Sequence, residues 1–240
     1  MSSPCARPSP RRAIATQNEG PLHAALKAHL AQPGDRFEVP FAGYQIDLVR
    51  DELLLEIQTA KLGALRPKLR ALLRERPVRV VYPVLAETWL VSVDAEGRPV
   101  RRRKSPKRRG LWDAFAELVS LPRLFRDPRF SCEVLLVQAE EVRRPATRRR
   151  RRRKDWVVAE RRLLGVGERH LLTGVDGLQA LVPAELVGPF GTADLARTLG
   201  CPRHLAQKLA YCLREAGALE TVGKRGNALL YARSALASSA

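Results

Sequence analysis

A chain of 240 residues with 45% hydrophobic content is long enough and apolar enough to bury a sizeable core, with room for two domains. Its formal net charge of +18 points to an anionic partner, and the apolar content excludes a globally disordered polyelectrolyte. No run approaches the ~20 consecutive apolar residues of a membrane helix.

The start carries Pro4, Pro8, Pro10, Arg11 and Arg12 without an apolar stretch, so it makes no secretory signal, and residues 1–13 read as a disordered arm. A first helix is predicted over 20–31, with Leu22, Ala25, Leu26 and Leu30 inward and Pro33 with Gly34 ending it. Residues 39–49 and 53–58 read as the strands of a β-hairpin, with Phe37 in a preceding edge strand. Polar and apolar residues alternate from Tyr44 to Arg50, and Asp51 with Glu52 makes the tip. A tip centred there sets Asp47 opposite Glu56, with Cβ atoms roughly 5 Å apart. Gln45, Asp47, Val49, Leu54, Glu56 and Gln58 then share one face, and Ile46, Leu48, Leu55 and Ile57 the other. Two opposed carboxylates repel, and a divalent cation is the usual compensation.

A helix follows over 65–74, then strands at 78–85 and 88–93 and a turn at 94–97. Arg101, Arg102, Arg103, Lys104, Lys107, Arg108 and Arg109 form a basic loop at 98–110 with no acid among them. Residues 111–121 read as an amphipathic helix with Leu111, Phe115, Leu118 and Val119 on one face, and 133–137 as a strand closing the same sheet. The first domain is placed at 14–142. Arg143, Arg144, Arg148, Arg149, Arg150, Arg151, Arg152, Arg153 and Lys154 make 143–155 an arginine-rich linker. The two basic blocks carry nearly all of the net charge, and they are expected to be solvated, mobile and suited to neutralising phosphates by counterion release.

Residues 156–187 are a connecting region, with a turn from Val175 to Leu178, short pairing segments at Leu163, Leu164 and 178–182, and His170 on a helix surface. From 190 to 200 the pattern is a helix capped by Thr192 and ended by Gly200, and a second helix spans 205–216 before Gly217. Strands at 218–222 and 227–231 flank a basic tip, and Leu195, Leu199, Leu205, Leu209, Leu213 and Leu219 are core. The cysteines Cys5, Cys132, Cys201 and Cys212 lack metal-ligand spacing and read as reduced thiols in a cytosolic protein; Cys201, His204 and Cys212 belong to a helical core rather than a zinc site. The excess of arginine over lysine suggests a GC-rich bacterial genome.

Asp47, Glu56, Ile57 and Gln58 on the hairpin, Glu19 at the first helix and the helix and apolar strand that follow resemble the PD-(D/E)XK nuclease superfamily, the restriction-endonuclease-like fold. The resemblance covers 14–95 and reaches toward 142. It implies an α/β fold, a mixed sheet flanked by helices, with Mg²⁺ (or Mn²⁺) held by Asp47, Glu56 and the Ile57 carbonyl. Glu19 would reach the metal through water, and Gln58 would orient water or a phosphate oxygen. Gln58 departs from the family's lysine and cannot serve as a base; Lys61 and Lys68, close by in the chain, are the candidate substitutes. Residues 188–234 resemble a winged helix-turn-helix, a smaller C-terminal domain. That resemblance places Arg203, His204, Gln207 and Lys208 on DNA base edges and Lys224 with Arg225 on phosphates, followed by a tail at 235–240.

The function expected from these features is a Mg²⁺-dependent DNA endonuclease. Two readings stay open beside it: a catalytically inactive DNA-binding regulator on a nuclease-like scaffold, and an RNA-binding factor, since arginine-rich segments also bind RNA. No Walker loop, dinucleotide fingerprint or nucleophile elbow implies a nucleotide cofactor. A homodimer stays open, without an interface signal in the sequence.

Overall fold

The computed structural model describes residues 20–146 and 156–235. Helix α1 (Pro21–Leu30) starts with proline at its first turn and buries Leu22, Leu26 and Leu30, spaced four apart on one side. Strands β1 (Arg36–Phe41) and β2 (Tyr44–Arg50) pair antiparallel around Ala42 and Gly43, both with positive φ, the mirror-image turn that suits a hairpin. The run read as one strand over 39–49 is therefore two. β3 (Leu53–Ile57) returns after Asp51, which takes φ 50°, a conformation that aspartate tolerates. Its register pairs Leu48 with Leu55 and Arg50 with Leu53, the alignment predicted from the tip.

α2 (Arg66–Leu72) carries the chain to β4 (Val78–Val93), which runs parallel to β3 along Val78 to Val81. The second half of β4 pairs with β5 (Pro99–Lys104), so the basic block at 98–110 is in part a sheet edge rather than a loop. A short α3 (Phe115–Leu118), with single 3₁₀ turns on either side, leads to β6 (Phe130–Pro145), parallel to β4 along its whole length. β7 (Trp156–Thr173) pairs antiparallel with β6 from Pro145↔Trp156 to Ser131↔Thr173. The sheet order is β1-β2-β3-β4-β6-β7, with β5 on the β4 edge beyond β3.

This topology alters two expectations. Residues 156–173 are an integral strand, not a connecting region, and His170 sits on that strand beside Glu168 rather than on a helix. The arginine-rich segment joins two paired strands of one sheet instead of linking two domains. Its residues Arg148, Arg149, Arg150, Arg151, Arg152 and Arg153 lie outside the described residues, as does Glu19.

α1 covers one face of the sheet, where Leu22, Leu26 and Leu30 meet Leu48, Leu55, Ile57, Val81, Leu135 and Val137. The other face packs against α2, α3 and the C-terminal elements. Those are α4 (Gly174–Gln179), α5 (Thr192–Thr198), α6 (Arg203–Ala216) and the antiparallel ribbon of β8 (Leu219–Arg225) and β9 (Ala228–Arg233), with Phe190 bridging to Tyr231. α4 replaces the turn expected at 175–178. α5 begins one residue early: Gly191 is the cap, and Asp194 rather than Thr192 accepts its N–H at 3.0 Å. Leu195, Leu205, Leu209, Leu213 and Leu219 are buried, as predicted, and Leu199 packs against them. Phe115, Leu118, Leu121 and Phe125 join this group, so one core runs from the sheet into the C-terminal segment. Among the described residues no helix is long and apolar enough to cross a membrane.

Candidate functional site: a carboxylate pair at the end of the hairpin

The β2–β3 ladder stops at Leu48↔Leu55. At the next position the Asp47 carboxylate accepts the Ile57 N–H at 2.7 Å, so a side chain takes over where the backbone pairing ends. The strands part here. Glu38, across from Asp47 on β1, has φ 50°, and the alternation slips: Ile46 packs with Val49 and Leu54, not with Leu48 as expected. Asp47 thereby stands inside the sheet where β2 and β3 part, with groups from both faces close to it. From the α1 side His23 Nε2 lies 3.2 Å from the same Asp47 oxygen. From the α2 side Lys68 Nζ donates to Glu56 Oε2 at 2.6 Å and also to the Gln45 carbonyl. Lys27, one turn after His23, pairs with Glu38, whose second oxygen takes the Gln45 amide at 2.8 Å.

The two carboxyls have opposite proton affinities. Burial alone would raise that of Asp47, but hydrogen bonds from His23 and the Ile57 N–H, with the His23 and Lys68 charges, hold it below the usual carboxylate range. Glu56 is 3% exposed; burial, reinforced by the Asp47 charge and only partly opposed by Lys68, pushes it up to about 7. One oxygen, Glu56 Oε1, is buried with no hydrogen-bond partner among the described residues.

The positive compensation that the opposed carboxylates require thus comes in part from Lys68 and His23. Of the two lysines considered from sequence, Lys68 reaches the site. Lys61 offers its backbone carbonyl to Gln58 Nε2 at 3.5 Å, and its amine makes no hydrogen bond or ion pair among the described residues. Gln58 is half-buried at the end of β3, its own N–H donating to the Val81 carbonyl. His23 was missed from sequence; the signal was its place one turn before Lys27 on a helix whose buried leucines already fix the sheet-facing side. Among the described residues no three His, Cys, Asp or Glu side chains converge as a metal set, and Cys201 and Cys212 form none. Asp47 and Glu56 with the orphaned Glu56 Oε1 are nonetheless a hard-oxygen donor set of the kind that Mg²⁺ or Mn²⁺ accepts.

The nucleic-acid residues predicted from sequence occupy several surfaces. Arg203, His204 and Gln207 are exposed at the start of α6 with Lys208 half-buried beside them, and Lys224 and Arg225 are exposed at the ribbon tip. On β5 the basic side chains divide by alternation. Arg102 stacks over Trp89 at 4.1 Å and pairs with Glu140, and Lys104 pairs with Glu87, which also holds Arg108. Arg101 and Arg103 make no ion pair among the described residues and face solvent.

A family model described as a domain of unknown function (DUF8091) matches residues 20–173. The chain belongs to that family. The matched stretch runs from α1 to the last residue of β7, and so takes in the whole seven-stranded sheet and the carboxylate pair. An uncharacterized protein of Treponema pallidum (strain Nichols) is 31% identical over 219 residues, which cover 91% of this chain and 86% of the relative. No solved structure matches the chain.

Proposed function

We propose that this protein is a metal-dependent DNA endonuclease of the restriction-endonuclease-like type, with a winged-helix C-terminal segment that binds DNA. The observation that carries the reading is Lys68. The sequence has glutamine where the resembled superfamily has lysine, and an ammonium arrives at the same carboxylate from α2, 2.6 Å from Glu56. Asp47, Glu56 and the Ile57 carbonyl would hold Mg²⁺ or Mn²⁺, which supplies a polarised phosphoryl oxygen and an acidified water. Asp47 is kept ionised and aimed by His23 and the Ile57 N–H. Lys68 places a positive charge beside the pair, where a phosphate's charge would develop. Gln58, at the mouth of the same strand, has an amide able to orient a water. The order α4, Phe190, α5, α6 and the β8–β9 ribbon, with α6 exposing Arg203, His204 and Gln207, supports the winged-helix reading. The solvent-facing Arg101, Arg103, Lys224 and Arg225 suit phosphate contacts.

One observation favours a second reading, an inactive DNA-binding protein on the same scaffold. Asp47 and Glu56 each already have a positively charged or N–H partner within the fold, so the pair stands without an ion. Incubating supercoiled plasmid and single-stranded DNA with Mg²⁺ or Mn²⁺ separates the two. Cutting that disappears in Asp47→Ala, in Glu56→Ala and with chelator supports the nuclease. Salt-sensitive binding without cutting under either metal leaves the inactive reading.

A further inference from the structure

Beyond the carboxylate site and the exposed start of α6, the molecule has a cleft with residues of α2 on one side and of the C-terminal half of α6 on the other. It is a cleft of about 190 Å³ lined by Arg66, Arg70, Tyr211, Glu215 and the segment 119–124, which adds Arg123 among mostly apolar side chains. That is below the ~300–1,000 Å³ of drug-sized sites, so it takes a small flat group rather than a large ligand. Its one acid, Glu215, is already held by Arg123 at 2.9 Å and Arg214 at 3.0 Å. Arg66 uses Nε and one terminal nitrogen on the Ser120 carbonyl and keeps the other free; Arg70 is exposed and makes no hydrogen bond or ion pair among the described residues. Tyr211 is 41% exposed, and the Arg214 guanidinium sits over its ring at 5.5 Å. Guanidiniums around an exposed aromatic ring are the recognition chemistry of single strands: cations track phosphates, and a ring stacks a base.

We infer that this cleft seats single-stranded DNA, with phosphates on Arg66, Arg70 and Arg123 and a base on Tyr211. The inference rests on the nucleic-acid reading above and adds the form of the substrate. The geometry of α2 links cleft and site. Arg66 and Arg70, four apart, share one side of the helix; Lys68, two residues from each, points to the other side and reaches Glu56. A helix is about 10 Å across, so the cleft and the carboxylate pair lie on opposite sides of a single helix. The substrate would be a junction, flap or opened duplex whose unpaired strand occupies the cleft.

The test uses the full chain carrying Asp47→Ala, in chelator, so that cleavage plays no part. Fluorescence anisotropy follows a labelled oligo-dT and a duplex of equal length. Tyr211→Ala should weaken oligo-dT binding by about 5- to 160-fold, the value of one base stacked on an aromatic ring, and change duplex binding less than about twofold. Tyr211→Phe should retain it. Arg70→Glu, on an exposed side chain without a partner among the described residues, should weaken oligo-dT binding and lower its salt dependence. Equal loss for single strand and duplex, or no loss in either variant, overturns the cleft alone. Absence of any binding by the parent overturns the cleft together with the reading it rests on.

Discussion

Glu56→Gln tests the site through stability, without relying on cleavage. In the fold, burial and the neighbouring Asp47 hold the Glu56 proton up to about 7, against 4.5 in an open chain. Between those values the native state binds a proton that the unfolded chain has released. The contribution to stability is therefore fully present below 4.5 and lost as pH rises through about 7. At ~1.36 kcal/mol per pH unit, the gap between 4.5 and about 7 amounts to about 3 kcal/mol, most of it spanned between about pH 5 and about pH 8. Glutamine has no proton to lose. Urea unfolding of wild type and Glu56→Gln at the two ends should show wild type losing about 2–3 kcal/mol relative to the variant as pH rises. Asp47, held low, is present in both proteins and largely cancels. Excess Mg²⁺ or Mn²⁺ adds a second arm. A cation competes with that proton for Glu56 and binds once it has left, so it should restore wild-type stability at the alkaline end and leave Glu56→Gln unmoved. A wild-type-to-variant gap that is the same at both pH values would falsify the buried, high-affinity carboxyl. The hairpin end would then be open to water, and Asp47 with Glu56 would not be a pair poised for a metal.

Lys68→Ala should lower plasmid cleavage by at least about 100-fold, the order expected for a lost electrostatic contact at the reacting phosphate, while Lys61→Ala stays within a few-fold of wild type; equal effects would mean that neither lysine stands in for Gln58. Arg101→Glu with Arg103→Glu should reduce the salt slope of duplex binding by about 2, with little change in melting, because these side chains make no ion pair among the described residues. Arg102→Glu should instead cost about 1 kcal/mol of stability, since it removes the stack on Trp89 and the Glu140 pair; a purely DNA-binding phenotype there would refute the division of the strand into an inner and an outer row. Arg50→Ala should destabilise by about 2 kcal/mol in thermal or urea unfolding, because Arg50 holds Asp35 through two hydrogen bonds and the last carbonyl of α1 through a third.

The hairpin register was legible because two local signals agreed: alternation from Tyr44 to Arg50, and a two-residue tip whose first member tolerates positive φ. The slip at Ile46 was not, since it depends on β2 and β3 parting at Asp47, a tertiary event. β5 was hidden by its own charge. A run of arginines and lysine repels in isolation, and it folds as an edge strand only because Trp89, Glu87 and Glu140 arrive on neighbouring strands. β7 was hidden by Gly165, Gly167 and a mixed polar pattern, the signature of a half-exposed edge strand whose partner, β6, is the apolar one. Lys68 was readable as a candidate from proximity in sequence. His23 was not singled out, because a lone histidine on a helix has no partner until the sheet is assembled.

The continuous core packs the site and the C-terminal segment into one body. α6 buries Leu209, Leu213 and Ala216 in the same apolar mass as Phe115, Leu118 and Phe125, so its exposed stripe is fixed relative to α2. α2 in turn is anchored by Leu69 and Leu72, with Lys68 directed to Glu56. Nucleic acid bound along α6 would therefore lie at a set distance and angle from the carboxylate pair, because both are packed on the same core. Positioning of this kind is where much of the rate in phosphoryl transfer originates, because a metal-assisted displacement asks the protein for alignment more than for covalent chemistry. A mutation that loosens the α3–α6 packing, such as Leu213→Ala, should consequently cost about 2–5 kcal/mol of stability and, where the protein still folds, lower cleavage more than binding. Loss of binding with unchanged turnover would instead mean that the two parts work independently.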